Sequence, residues 1–487
     1  MTKNSLGKNA FYNIVYKVLN VFFPLISTAY ISRVLLAEGV GRVSAVNNNV
    51  SYFLILATLG IPAYGLREIA KVNDDKNKKN TLFSELFILN AIFSLFSYCL
   101  FILLAFTVPY FKHERILYEI YGCAIVLNVI NVDWLFQGME EYAYIATRSS
   151  IIKIISLFSL FLLVKNKNDV YLYAIINVIA ISGNYIFNIV KARKYVSFKF
   201  KNLCLQRHLR PLIYLALCTI STELYAKMDI TMLDILKDNK VVGYYTNSQK
   251  LINLGITMLV AVTAVFLPRL SYLFDNNKKE FNKILKVGYE LMIFISIPAC
   301  FGLMVISKSL ILFFLGKSFI NAALTTSILA LMIPLKCIGD LICYQVMMCA
   351  RQEAILMKSY FITMLVNLVN NFLLIPQFGA EGAAVASVIS EILAFGFVYY
   401  YSRKYFEIRG VKRDSLKTIV SSCIMVIFII PINYLPISYM LKLIIEVCLG
   451  IAIYLASCLV LKHEGLKQYI VIIKYKISFL HNSKCRK

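Results

Sequence analysis

The chain has 487 residues, of which 59% are hydrophobic and 16% charged, with a mean hydropathy of +0.71; these figures exclude a soluble globular protein. A formal charge of +25 would suggest nucleic-acid binding in a soluble chain. Here the basic residues sit in short segments between apolar runs of spanning length, so they orient the chain and attract anionic lipid, and no nucleic-acid partner is expected.

The first apolar run, Phe11 to Leu36, is too long for a signal-peptide core and has no small-residue cleavage site, so it reads as a first span. Continuing along the chain, runs of about 20 apolar residues predict about fourteen transmembrane helices and an all-α polytopic membrane protein. They lie near 11–32, 43–68, 82–108, 116–138, 143–164, 170–190, 212–236, 241–270, 288–314, 321–349, 354–375, 380–402, 416–434 and 437–461. The connections alternate in charge. One set carries Lys71, Lys76, Lys78 and Lys79, then the cluster from Lys191 to Arg210, then Lys278 to Lys286, then Arg403 to Lys417; the other set is poor in Lys and Arg. The positive-inside rule therefore places both termini in the cytoplasm.

An internal repeat organises these spans. Gly41 and Gly243 stand 202 positions apart, as do Arg67 and Arg269, each arginine closing a span. VNDDKNKK from Val72 parallels FDNNKKE from Phe274, and Arg193-Lys194-Tyr195 recurs 210 positions later as Arg403-Lys404-Tyr405. Two halves of six spans each, 1–200 and 201–410, would then share one orientation, as parallel repeats do. Residues 411–487 fall outside the repeat and hold two extra spans, then a stripe of Leu466, Ile470, Ile473, Ile477 and Leu480 that predicts an interfacial helix.

Charge inside these spans is the functional signal, because a charged side chain at the bilayer centre costs about 2.5–3.5 kcal/mol on insertion scales. On the stretch from Ile213 to Lys237, Glu223, Lys227 and Asp234 recur at i, i+4 and i+11 and share a face, with Asp229 two residues past the lysine. That face predicts a wetted internal path; a plain i,i+4 ion pair between Glu223 and Lys227 is the alternative. Lys17 shares a polar face of the first span with Asn13, Asn20 and Pro24. Further candidates are Arg148 and Lys153 on span five, Lys250 on span eight, and Lys336 with Asp340 on span ten. Separated lysines and arginines suit a phosphate or diphosphate, which offers oxygens to several donors at once. For Arg148, Lys250 and Arg269, snorkelling to headgroups is the competing reading. Glu223, Asp229, Asp234 and Asp340 are candidates for coupling or gating with a proton or Na⁺.

Twelve cysteines without a C-x-x-C pair and four scattered histidines predict neither disulfides nor a metal site. No phosphate-binding loop for ATP and no long connection fit for an active site are present, so a non-enzymatic transporter is expected, without a cofactor beyond a coupling ion.

Three stretches carry a family resemblance: FPLISTAYISRVLLAEGVGRVSAVNNNVSYF from Phe23 to Phe53, LGIPAYGLREIAK from Leu59 to Lys71, and DWLFQGMEEYAYIATRS from Asp133 to Ser149. Taken in order, they resemble the bacterial polysaccharide-export flippases of the Wzx type, within the multidrug/oligosaccharidyl-lipid/polysaccharide superfamily. The resemblance implies two pseudo-symmetric six-helix lobes in a V around a central cavity, plus two C-terminal helices. It further implies ion-coupled alternating access that carries undecaprenyl-diphosphate-linked oligosaccharide across the inner membrane for O-antigen or capsule synthesis. Polysaccharide polymerase and chain-length machinery would be partners alongside membrane lipids. Arg33, Arg67 and Arg269 match the recurrent span-end arginines of that family and join the cationic candidates. A drug exporter of the MATE type would favour an acidic cavity, against the lysines found here; a membrane glycan polymerase or ligase would need a larger outer loop.

Overall fold

The computed structural model describes residues 3–201, 203–264, 267–408 and 410–465, with side chains in the first helix from Phe23 onward. The predicted tail helix at 466–480 and the side chain of Lys17 lie outside the described residues. The chain divides into two compact units, Met1–Thr246 and Asn247–Lys487.

The first unit contains α1 (Lys3–Thr58), α2 (Ile61–Lys71), α3 (Lys76–Thr107), α4 (Pro109–Lys112) and α5 (Arg115–Leu127). It continues through α6 (Asp133–Gly138), α7 (Tyr142–Leu163), α8 (Val170–Ala192), α9 (Gln206–Leu236) and the opening turns of α10 (Asn239–Ala264). The second unit holds the rest of α10, then α11 (Leu267–Asn276), α12 (Lys278–Phe314), α13 (Ala322–Ala330) and α14 (Met332–Ile342). It ends with α15 (Glu353–Ser402), α16 (Lys412–Ile429) and α17 (Tyr439–Val460).

Among the described residues, nine helical stretches are long and apolar enough to cross a membrane. Two of them, Phe23–Lys71 and Glu353–Ser402, run to 49 and 50 residues, where a single crossing needs about 20. Each is broken within, at Leu36 (φ 61°, ψ −177°) and at Gly379 (φ 57°, ψ −126°). The break at Gly379 folds the chain back on itself, since a Cβ on Gly382 would meet the carbonyl oxygen of Leu374 at 2.4 Å. The expected span at 116–138 is also interrupted, between α5 and α6. Asparagines explain the interruption: Asn128 donates to Ser94 Oγ at 3.0 Å, Asn90 donates to the Asn128 carbonyl at 2.6 Å, and the Asn131 side chain accepts from Asp133 N. Side chains that satisfy loop carbonyls and amides offer the backbone an alternative to the helix ladder.

Positions 202 apart do the same work. Asp75 caps α3 by accepting from Asn77 N and Lys78 N, and Asn277 caps α12 by accepting from Glu280 N. Gly41 and Gly243 face each other across α1 and α10. A Cβ on Gly41 would lie 1.6 Å from the carbonyl oxygen of Asn239, and one on Gly243 would lie 2.2 Å from that of Ala37. Ala37 and Asn239 are themselves 202 apart, so the two helices exchange equivalent contacts, as around a local two-fold axis. Only glycine lets backbones approach so closely.

One core of the first unit packs Trp134 and Phe136 with Phe83, Leu86, Ile61 and Leu212. α9, which the repeat assigns to the second half, packs on α1 and α2 within this unit. In the second unit α16 and α17 pack on each other and on α12, around Met425, Ile429, Tyr454 and Cys458.

Candidate functional site

α9 is 31 residues long, about 46 Å at 1.5 Å per residue, enough to cross the hydrocarbon layer. Near its middle, Lys227 Nζ lies 2.7 Å from Glu223 Oε2, and the two side chains keep 28% and 38% of their exposure. The i,i+4 ion pair is therefore present, and it is open at one side rather than sealed.

Below that pair, α9 is held to α1 by uncharged polar groups. Asn48 donates to Thr231 Oγ1 at 2.8 Å and to the Lys227 carbonyl at 3.3 Å, while the Tyr52 hydroxyl meets the same threonine at 2.9 Å. One turn further, Asp234 accepts from the Tyr110 hydroxyl and from Asn49 Nδ2, and Asn49 also reaches Tyr118. Asp229 is buried and accepts from the Tyr245 hydroxyl. The four charged side chains from Glu223 to Asp234 thus divide, with Glu223 and Lys227 open and Asp229 and Asp234 accepting from tyrosine hydroxyls.

Arg148 lies elsewhere, buried on α7, with Nη1 3.1 Å from Asp133 Oδ1 at the head of α6. Asn188 on α8 bridges the two, accepting from the arginine and donating to the aspartate, and the Tyr144 ring lies 5.4 Å from the guanidinium. Lys153, one turn beyond on α7, is half-buried with its ammonium 5.9 Å from the centre of the Phe23 ring. Arg33 is exposed on α1. Arg67 is exposed on α2, 3.2 Å from Glu68 and over the Tyr64 ring.

In the second unit Lys336 on α14 pairs with Glu391 on α15 at 3.3 Å and keeps 28% exposure; Asp340 follows one turn along the same helix. Lys250 is exposed on α10, and Arg269 makes an exposed ion pair with Glu280 at 2.6 Å. Lys227 and Lys336, taken from the sequence as cationic, each stand beside a carboxylate.

Two polar features escaped the sequence reading. Arg42 makes a bidentate pair with Glu114 at 2.5 and 2.8 Å, and Glu85, fully buried on α3, accepts from Cys204 N, Arg207 and His208. The His208 ring sits between these groups, with Nε2 3.0 Å from Glu85 Oε2 and Nδ1 2.8 Å from the Tyr64 hydroxyl. A glutamate inside the apolar run of α3 was the available signal. Asn48 and Asn49 belong to an Asn-Asn-Asn run on a spanning helix, which carried a similar one.

Comparison with known proteins bears on what this arrangement does. The model of a family described as polysaccharide biosynthesis protein matches residues 6–274, more than half of the chain. The chain is 23% identical over 411 residues to a putative O-antigen transporter of Escherichia coli (strain K12), covering 82% of this chain and 97% of that one. It is likewise 23% identical over 386 residues to a putative O-antigen transporter of Shigella dysenteriae, covering 78% and 95%. A probable low-salt glycan biosynthesis flippase of Haloferax volcanii is 24% identical over 185 residues, covering 36% and 38%. Among solved structures, the lipid II flippase MurJ in an inward closed conformation superposes with a TM-score of 0.74 at 16% identity, covering 92% of this chain and 97% of that one. The fold is therefore that of a multi-pass, all-α membrane protein built as MurJ is.

Proposed function

The chain belongs to the polysaccharide biosynthesis protein family, and on that premise we propose that it is a Wzx-type flippase, moving oligosaccharide on an undecaprenyl-diphosphate carrier from the cytoplasmic to the outer leaflet. Fourteen crossings, cytoplasmic termini and an alternating-access path between two lobes belong to the same proposal. The observation that carries it is the open Glu223–Lys227 pair. Two charged side chains near the middle of a helix of spanning length, partly exposed, need water beside them, because exposure to hydrocarbon would cost several kcal/mol for each.

The pairing suggests how cargo is held and released. A phosphate oxygen arriving beside Lys227 competes with the Glu223 carboxylate for the same ammonium. A proton or Na⁺ on the carboxylate removes that competitor and favours the phosphate; loss of the cation returns the lysine to Glu223 and expels the phosphate. Lys336 with Glu391 offers the same exchange in the second unit. The remaining cationic candidates, Lys17, Arg33, Arg67, Lys153, Lys250 and Arg269, would supply attraction along the way. The prenyl tail stays in lipid, so only the diphosphate and sugars need the polar route.

Reconstitution tests this reading. Full-length protein in liposomes, given fluorescent undecaprenyl-diphosphate oligosaccharide and an imposed proton or Na⁺ gradient, is expected to move label to the far leaflet. Lys227→Glu, at unchanged protein level, is expected to slow that movement at least tenfold. Transport equal to the parent in Lys227→Glu and in Lys336→Glu would remove the cationic path.

A further inference from the structure

A second cationic feature lies away from the charged face of α9, on the lysine-rich end of the first unit. Between α2, the start of α3 and the segment leading into α9 is a cavity of 440 Å³, into which Lys78, Lys199 and Arg207 project together with Asn77 and Thr81. Glu68 is the one carboxylate that shares this lining. Three positive groups converge here, Lys78 also pairing with Asp75 at 3.3 Å and Arg207 with buried Glu85, and their remaining donors make a site for an anion with several oxygens.

The segment that delivers Lys199 is non-helical and reads Ser197-Phe198-Lys199-Phe200-Lys201. It is fastened to α3 at two points, Ser197 N donating to Asn80 Oδ1 at 3.0 Å and Lys199 N donating to Ser84 Oγ at 2.8 Å. Lys199 Nζ turns to Asn77 Oδ1 at 3.1 Å, at the cavity. The neighbouring phenylalanines go the other way. Phe198 packs on Phe83 and Phe87 with ring centres 5.2 and 5.0 Å apart, and Phe200 stacks on Phe198, with planes 8° apart, while remaining 74% exposed. Exposed aromatic rings beside apolar helices of spanning length, with lysines alternating between them, form the pattern of a segment lying in a membrane interface.

We infer that this cavity is a binding site for the phosphate headgroup of an anionic phospholipid, with Lys78, Lys199 and Arg207 on the phosphate and Phe200 among the acyl chains. A lipid alone carries both parts that the site offers contacts for. The headgroup would also bear on α9, because Arg207 divides its donors between the cavity and buried Glu85 at the first turn of that helix. Occupancy would then fix the segment that joins α8 to α9.

Binding is tested on purified full-length protein in zwitterionic detergent, following its melting temperature on titration with phosphatidylglycerol, phosphatidylcholine or inorganic diphosphate. Phosphatidylglycerol is expected to raise the melting temperature more than the other two. Lys78→Gln with Lys199→Gln should lose at least half of that increment, and Phe200→Ser should reduce it while leaving the lysines in place. Lys78→Glu serves as a second variant, which gives up the Asp75 pair but places an acid in the first turn of α3, where the helix dipole favours it; it too should lose the increment. An unchanged increment in the lysine variants overturns the site. An equal rise with inorganic diphosphate, or with phosphatidylcholine, overturns the assignment to an anionic lipid.

Discussion

Two ion pairs in the first unit are built from the same chemistry and treated in opposite ways. Arg148 and Asp133 come from different helices, are bridged by Asn188, and leave the arginine 6% exposed while the aspartate keeps 33%. Glu223 and Lys227 lie one turn apart on a single helix, have no third side chain bridging them among the described hydrogen bonds, and stay open. A buried pair locks its partners, since removing one leaves a charge without compensation. An open i,i+4 pair contributes almost nothing to stability and is easily exchanged for another ligand. Within the first unit, the bridged pair ties α6, α7 and α8 together, and in the proposed transport reading the cargo meets the unbridged pair.

The largest effect should come from breaking the sealed pair. Arg148→Ala leaves Asp133, itself one third exposed, with Asn188 but without its cation, and is expected to cost about 2 kcal/mol of stability. Its signature is a lower melting temperature and less protein in the membrane. Arg148→Lys should recover only part of this, because an ammonium cannot reproduce the planar fork that reaches aspartate and asparagine together. If Arg148→Ala left stability unchanged while stopping transport, the assignment of the two pairs would have to be reversed.

A smaller effect is expected where α9 meets α1. Asn48→Ala removes the donor to Thr231 and to the Lys227 carbonyl and leaves Thr231 with Tyr52, a loss of about 1–2 kcal/mol. Because this bond anchors the turn carrying Lys227, transport should fall by more than the lost stability explains, measured as rate per folded molecule. Equal falls would make Asn48 a packing residue only.

How much of this was legible in the sequence follows from the range of the interactions involved. Hydropathy and repeat spacing are local or periodic, and each of the fourteen expected stretches falls mainly on helix. The Glu223–Lys227 pair was legible for the same reason, as one turn of one helix. Glu391 beside Lys336 was not, because 55 residues separate them and only packing of α14 on α15 brings them together. Arg148 illustrates the same limit. Spacing put it among the cationic candidates, while its burial depends on Asp133 and Asn188 arriving from two other helices. The interruption between α5 and α6 was hidden because Asn128 and Asn131 act through Ser94, Asn90 and Asp133, and hydropathy averages over such groups.

The smallest effect on stability, and the sharpest on mechanism, belongs to Glu223→Gln. The side chain keeps its shape and stays partly exposed, so the melting temperature should move by no more than about 0.5 kcal/mol implies. If the carboxylate is the competitor that takes Lys227 back from the phosphate, its amide cannot do so, because it carries no charge and takes up no cation. Cargo would then bind without help from the gradient and leave slowly. Movement of label in liposomes should be slower than in the parent and equal with and without an imposed proton or Na⁺ gradient. A variant that still speeds up when the gradient is applied would show that coupling resides in another carboxylate. Asp340 and Asp234 would be the next to replace, the first because it lies one turn from Lys336 and the second because it shares the face of α9 that carries Glu223 and Lys227.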